Sequence, residues 1–239
     1  MSGVRIEQVK GHKYRVHGDE RVEADWLLPS VTQMTKYADS GMGDGLIWWG
    51  VNLYEKTGRK NAFVTSRSQS TAIGSMVHDH IDYFIHHGDL ERQLESTNLT
   101  WDLFMAWHRE FTTLGVDFHA AEAMVYHPRM LYGGTVDAIG TMLGHVTLFD
   151  WKTTDEFDKN GKKKELNSDP YAAQAGGYYL ALKEVGESLG IPIPTQAFVV
   201  YIFKDSKRIE WHKVDLGKAE EAFRACFKLH TLSGGLYEY

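Results

Sequence analysis

A chain of 239 residues that is 43% apolar and 24% charged can bury a full hydrophobic core, and its balance is that of an ordinary globular protein with one domain as the expected organisation. The net charge of −6, from 26 Lys and Arg against 32 Asp and Glu, argues against a protein that coats nucleic acid nonspecifically, although a local basic groove and acidic metal ligands remain compatible with it. A single cysteine, Cys226, excludes an internal disulfide framework and any four-cysteine zinc or iron–sulfur centre supplied by this chain.

In chain order, Val4–Val9 and Lys13–Val16 flank Gly11-His12 and predict a β-hairpin. Leu27–Thr32 leads into a helix with Ser30 as its N-cap. A second helix is expected over Leu46–Lys56, closed by Gly58, and it carries the aromatic pair Trp48-Trp49 as a possible stacking surface for unpaired bases. Ala62–Gln69 reads as a polar loop. Ser70–His87, with Ile73, Val77, Ile81, Phe84 and Ile85 at helical spacing, and Thr100–Leu114 are amphipathic helices. From Asp117 the period changes to two, predicting strands at Phe118–His127, Leu131–Leu143 and Val146–Thr153. A helix at Pro170–Leu189 with Asp169 as cap, strands at Gln196–Phe203 and Arg208–Val214, and a closing helix over about Lys218–Thr231 complete the order. Cys226, among Phe223, Phe227 and Leu229, reads as a buried apolar side chain. The pattern is a mixed α/β sheet flanked by helices. No apolar run near either end approaches the ~20 residues that span a bilayer, and Met1–Lys10 lacks a signal-peptide layout, so a soluble cytoplasmic protein with no membrane partner is expected.

The chemistry concentrates where Leu143-Gly144-His145-Val146 joins two strands. A type II′ turn at Gly144-His145 would pair Leu143 with Val146, set Asp137 opposite Lys152 and Ile139 opposite Asp150, and place all four side chains on one face. Asp137 and Asp150 would then be diagonal neighbours with β-carbons roughly 6–8 Å apart, within reach of one cation. Two aspartates and a lysine beside Val136, Ala138, Leu148, Phe149 and Trp151 lose solvent on folding, which is costly without compensation. A structural Asp137–Lys152 ion pair is the bland account, and it leaves Asp150 without a partner. A divalent cation offsets both carboxylates, and Lys152 beside it could bind a phosphate oxygen or help activate a water.

Gly134-Thr135-Val136-Asp137 followed by Phe149-Asp150-Trp151-Lys152-Thr153-Thr154 resembles the core of the PD-(D/E)XK nuclease superfamily, in particular its RecB-like and phage-exonuclease branches. Gly74-Ser75-Met76-Val77-His78 is similar to the glycine-to-histidine helix motif that precedes that core, and Gln174-Ala175-Gly176-Gly177-Tyr178 to the glutamine-to-tyrosine motif that follows it. The likeness covers roughly residues 28–203. It implies a restriction-endonuclease-like core at about 116–215, preceded by the hairpin and helices of about 1–115 and followed by the helix at about 218–231, all in one nuclease domain spanning 1–239.

The same resemblance implies a deoxyribonuclease using one or two Mg²⁺ or Mn²⁺ ions and no iron–sulfur cluster. Its catalytic residues would be Asp137, Asp150 and Lys152, with His78, Glu122 and the Trp151 carbonyl as further metal ligands. Gln174 and Tyr178, at i and i+4 of one helix, would organise the site or contact DNA. Read from the residues alone, His78 is equally a surface or capping group, Glu122 an exposed residue on an edge strand, and Tyr178 a core side chain. Ser30 and Thr32 at a helix start could bind a phosphate, and simple capping explains them as well. The Gly176-Gly177 pair suggests close packing of its helix against the sheet or against DNA. Lys159–Lys164 is the clearest basic run, either a DNA-facing patch or a solvated loop. The expected substrate is single- or double-stranded DNA with a free end, and the expected role is exonucleolytic, in replication, recombination or repair, with a recombination or single-strand-binding protein as a possible partner. A catalytically silent DNA-binding module and a structure- or sequence-specific endonuclease are the alternatives.

Overall fold

The computed structural model describes residues 3–38, 62–90 and 97–233. The helix expected at Leu46–Lys56, with Trp48-Trp49, lies outside them. An N-terminal hairpin of β1 (Arg5–Val9) and β2 (Lys13–His17) is joined by a two-residue strand, β3 (Leu28–Pro29), which pairs antiparallel with β2. Ser30 caps the short α1 (Val31–Thr35) through a capping box with Gln33. Helices α2 (Ala62–His87) and α3 (Asn98–Leu114) follow. The segment expected as a loop, Ala62–Gln69, is therefore the first part of α2; it holds no glycine or proline to interrupt a helix. Next come β4 (Asp117–His127), β5 (Tyr132–Met142), β6 (His145–Thr154), α4 (Asp169–Leu189), β7 (Gln196–Phe203), β8 (Ile209–Val214) and α5 (Leu216–Ser233).

The main sheet runs in the order β4-β5-β6-β7-β8, antiparallel except for β6 and β7, which are parallel and joined by α4. This is an α/β protein with a five-stranded mixed sheet flanked by helices, consistent with a restriction-endonuclease-like core. One face, through Ile139, Leu148, Val199 and Tyr201, packs against residues of α1, α4 and α5 such as Val31, Ala181 and Phe223. The other, through Ala138, Phe149, Trp151 and Val200, packs against α2 and α3 through Val77, Ile81, Phe104 and Trp107. A third cluster seats the N-terminal sheet on β4, with Tyr14 and Val16 against Tyr126. Among the described residues no helix is long and apolar enough to cross a membrane.

The turn between β5 and β6 differs from its expected form. Leu143 (φ 51°) and Gly144 (φ 79°) both adopt left-handed backbone, so the turn is the two-residue type I′ form at Leu143-Gly144, with Met142 paired to His145. Its twist matches that of the strands it joins. Ile139 then faces Leu148 rather than Asp150, and one step past the last pair of the ladder, Ala138 with Phe149, Asp137 comes level with Asp150 rather than Lys152. Moving the turn by one residue moves each partner by two. Asp150 and Lys152, two apart on β6, keep a shared face whatever the register. The cap of α4 also differs: Ser168 takes the N-cap position and Asp169 the first turn.

His127, at the end of β4, is buried, and its Nδ1 accepts the Met130 N–H at 3.2 Å, which requires the neutral ring. Burial pushes its pKa down to about 4 from an ordinary 6.5. Above pH 6.5 the ring is neutral in both folded and unfolded chains and costs nothing. Between pH 6.5 and 4 only the unfolded chain takes up the proton, so about 3 kcal/mol of stability is lost as pH falls through that window. Urea melts at pH 7 and pH 4.5 measure this, and His127→Asn, which keeps an acceptor without the titration, is expected to flatten the slope over that window.

Candidate metal centre

Three elements meet at Asp137. The β4–β5 ladder pairs Ala121 with Ala138 and Ala123 with Val136 but passes over Glu122, whose backbone is left-handed (φ 45°). That conformation is uncommon for a side chain with a Cβ and marks a kink in β4. On β5 the regular alternation also breaks at Asp137, because Val136 joins the α4 side of the core and Ala138 the α2 side. Helix α2 closes the third side. A Cβ at Gly74 would lie 2.9 Å from Thr153 Oγ1, so glycine there lets the helix approach the end of β6, and His78 follows one turn later.

His78 Nδ1 lies 3.9 Å from Glu122 Oε1 and 3.9 Å from Asp137 Oδ1. The three donor atoms lie within 4.8 Å of one another. Asp137 is held in place by the Trp151 N–H, which donates to Oδ2 at 2.7 Å and leaves Oδ1 towards the histidine. Asp150 is fully buried and stands outside this group; its Oδ2 is 2.5 Å from Lys152 Nζ. Its other oxygen, Oδ1, is buried without a hydrogen-bond partner. The Lys152 ammonium also sits 4.9 Å from the centre of the Tyr171 ring.

Charge is unbalanced here. Burial, reinforced by Asp137 and opposed by Lys152, pushes the Asp150 pKa up. Burial alone would lower His78 and Lys152, but the carboxylates outweigh it: Asp137 and Glu122 hold His78 above its ordinary value, and Asp150 and Asp137 do the same for Lys152. Protons are thus drawn into a cluster of three carboxylates, which is the condition a cation relieves by displacing them. An unpartnered buried carboxylate oxygen and an imidazole-plus-carboxylate donor set both fit a divalent ion.

A cleft of about 530 Å³ opens onto this cluster, lined by Ser70, Thr71, Ser75, His78, Glu122 and Lys152 among others. No protein-family profile and no curated protein matches the sequence. Among solved structures the chain is similar to a phage related exonuclease from Haemophilus somnus 129PT, at 11% identity and a TM-score of 0.38, over 88% of this chain and 97% of that one. It is similar also to SSO0001, at 16% identity and a TM-score of 0.31, over 66% of this chain and 74% of that one.

Gln174 Nε2 donates to the Tyr178 hydroxyl at 2.6 Å, and the Tyr178 ring is buried against Gly134, where a Cβ would come within 2.5 Å of it. Burial and the charges of Asp150 and Asp137 push Tyr178 well above the usual phenol range. Ser30 is buried and its Oγ accepts the Gln33 N–H at 3.1 Å, so its visible work is capping; Thr32 is exposed. His80 points away from His78 into a ring cluster with Trp101 and Phe104. In the basic run, Lys163 Nζ is 3.2 Å from Glu210 and Lys164 Nζ 3.5 Å from Asp155, so part of its charge is already paired. Tyr171 was not among the expected residues, although its spacing from Gln174 and Tyr178 on α4, three and seven positions, marks the same helix face.

Proposed function

We propose that this chain is a divalent-metal-dependent deoxyribonuclease that degrades DNA from free ends in replication, recombination or repair, working in the cytoplasm alongside a recombination or single-strand-binding protein. The observation that carries the reading is the convergence of His78, Glu122 and Asp137 donor atoms beside the buried Asp150–Lys152 pair. Mg²⁺ or Mn²⁺ bound there would supply positive charge for a phosphate and lower the pKa of an attacking water. The Trp151 amide presets the Asp137 carboxylate, so little reorganisation is needed when charge develops. Lys152, steadied by Asp150 and the Tyr171 ring, offers its ammonium to the same developing charge. The hydroxyls of Ser70, Thr71 and Ser75 along the cleft are suited to phosphate oxygens and carry no base preference. One imidazole among carboxylates favours Mn²⁺ over Mg²⁺.

End-labelled linear and circular DNA, single- and double-stranded, incubated with Mn²⁺, Mg²⁺ or EDTA tests this. Linear DNA is expected to shorten from its ends only with metal, and Lys152→Ala to slow it about 10²- to 10⁴-fold. Degradation indifferent to both EDTA and Lys152→Ala would sink the hydrolase reading, whereas cutting of circular DNA would make it an endonuclease.

A further inference from the structure

On the β7–β8 hairpin a second group of reactive side chains comes together. The ladder sets Glu210 opposite Tyr201 and His212 opposite Val199, and residues two apart on a strand share a face, so all four project towards the start of α4. Ser168, the N-cap of α4, meets them there. Its Oγ is 2.8 Å from His212 Nδ1 and 2.9 Å from the Tyr201 hydroxyl, and His212 Nε2 is 2.9 Å from Glu210 Oε1. The other Glu210 oxygen accepts from Arg208 at 2.7 Å and Lys163 at 3.2 Å, which clamps the carboxylate with one oxygen left for the imidazole.

A serine at an N-cap ordinarily accepts a first-turn amide, a bond contributing about 1 kcal/mol. Ser168 makes no such bond. A relay that served only to satisfy the buried Tyr201 hydroxyl would be complete at Ser168 and would not require the histidine and clamped glutamate behind it. The group borders a cleft of about 440 Å³ with Val199, Val214, Ala172 and Ala219 among its walls, and Ser168 and His212, both half-buried, open onto it. Nucleophile, base and orienting acid are thus in hydrogen-bond sequence at the mouth of an apolar pocket.

We propose that Ser168, His212 and Glu210 form a second, acyl-transfer site that hydrolyses small carboxylic esters with a short apolar acyl group. The Ser168 oxygen bonds to the ester carbonyl carbon as its proton passes to His212 Nδ1, and the carbonyl π pair moves onto oxygen. Glu210 steadies the imidazolium through Nε2–H. The Tyr201 hydroxyl, already in hydrogen-bond contact with Ser168, is the nearby donor for the oxyanion. Collapse breaks the bond to the alcohol oxygen, which leaves with the proton from His212. Water then adds to the acyl-serine by the same path, releasing the acid and restoring Ser168. This site shares no residue with the Asp137 cluster and does not depend on the nuclease reading.

The test uses the full chain, p-nitrophenyl acetate and an alkyl fluorophosphonate probe, with Ser168→Ala, His212→Gln, Glu210→Gln and Lys152→Ala, each checked by thermal melting. The wild type is expected to take up one probe at the Ser168 peptide by mass spectrometry and to hydrolyse the ester with saturation. Ser168→Ala and His212→Gln should lose the label and about 100-fold in rate, and Glu210→Gln about tenfold, while Lys152→Ala keeps both. A wild type that takes up no probe, or a folded Ser168→Ala that hydrolyses the ester at the wild-type rate, overturns the proposal.

Discussion

Asp137→Asn is expected to remove the metal response of this protein altogether. In the wild type, Mn²⁺ at about 100 times its dissociation constant should stabilise the fold by about 2.7 kcal/mol, which in a chain of this size raises Tm by about 5–10 °C. Asp137 contributes one of the three converging donors, and its charge bears on His78, Asp150 and Lys152 together. Asparagine keeps an oxygen for the Trp151 amide, so the hairpin geometry is retained while the charge is lost. Without metal the variant should be at least as stable as the wild type, because one of three crowded carboxylates has been neutralised. With metal its Tm should move by less than about 2 °C, and DNA degradation should fall about a thousandfold or more. Thermal melts with Mn²⁺ and with EDTA, beside calorimetric titration, separate these effects. A full metal shift in Asp137→Asn would place the ion elsewhere.

The second large effect is structural. Gly176 and Gly177 lie where α4 crosses the beginning of α5. A Cβ at Gly176 would overlap the Ala219 carbonyl, and one at Gly177 would come within 2.7 Å of the Phe223 ring. The obstacle at Gly176 is backbone, which cannot rotate away. Gly176→Val should therefore destabilise the protein by about 4 kcal/mol or more, against the roughly 1 kcal/mol that replacing a helical glycine otherwise gains. Gly217→Ala, whose nearest neighbour would be Asp215 Oδ1 at 3.4 Å, is the control and should leave Tm within about 2 °C. Chemical denaturation of the three proteins gives the comparison. The glycine pair thus records the packing of two helices, and DNA approach is not needed to account for it.

What the sequence determined by itself was local and periodic. The switch from helical spacing to alternation at Asp117, the ends of α3 at Leu114 and of α4 at Leu189, and the capping serine of α1 depend on neighbours a few residues apart, and the structure has them where the pattern puts them. The shared face of Asp150 and Lys152, two apart on one strand, was legible for the same reason, whereas the place of Asp137 was not, because the alternation on β5 breaks there. Whether Leu143 or His145 would accompany Gly144 in the turn was not legible, since Leu143 must take a left-handed backbone that its residue type disfavours and only the joined strands impose.

The tertiary structure decided which donors converge. His78 comes from a helix remote from the hairpin in sequence and Glu122 from the edge strand paired with β5, and their meeting with Asp137 follows from the Gly74–Thr153 approach and the kink at Glu122, neither of which has a periodic signature. It also separated Asp150 from that group and gave it to Lys152, and it put the Tyr171 ring against the lysine. Ser168, Glu210 and His212 are likewise brought together only by the β7–β8 register and the start of α4. Spacing along a chain constrains side chains within one element, whereas a site made by three elements depends on how closely their backbones can pack.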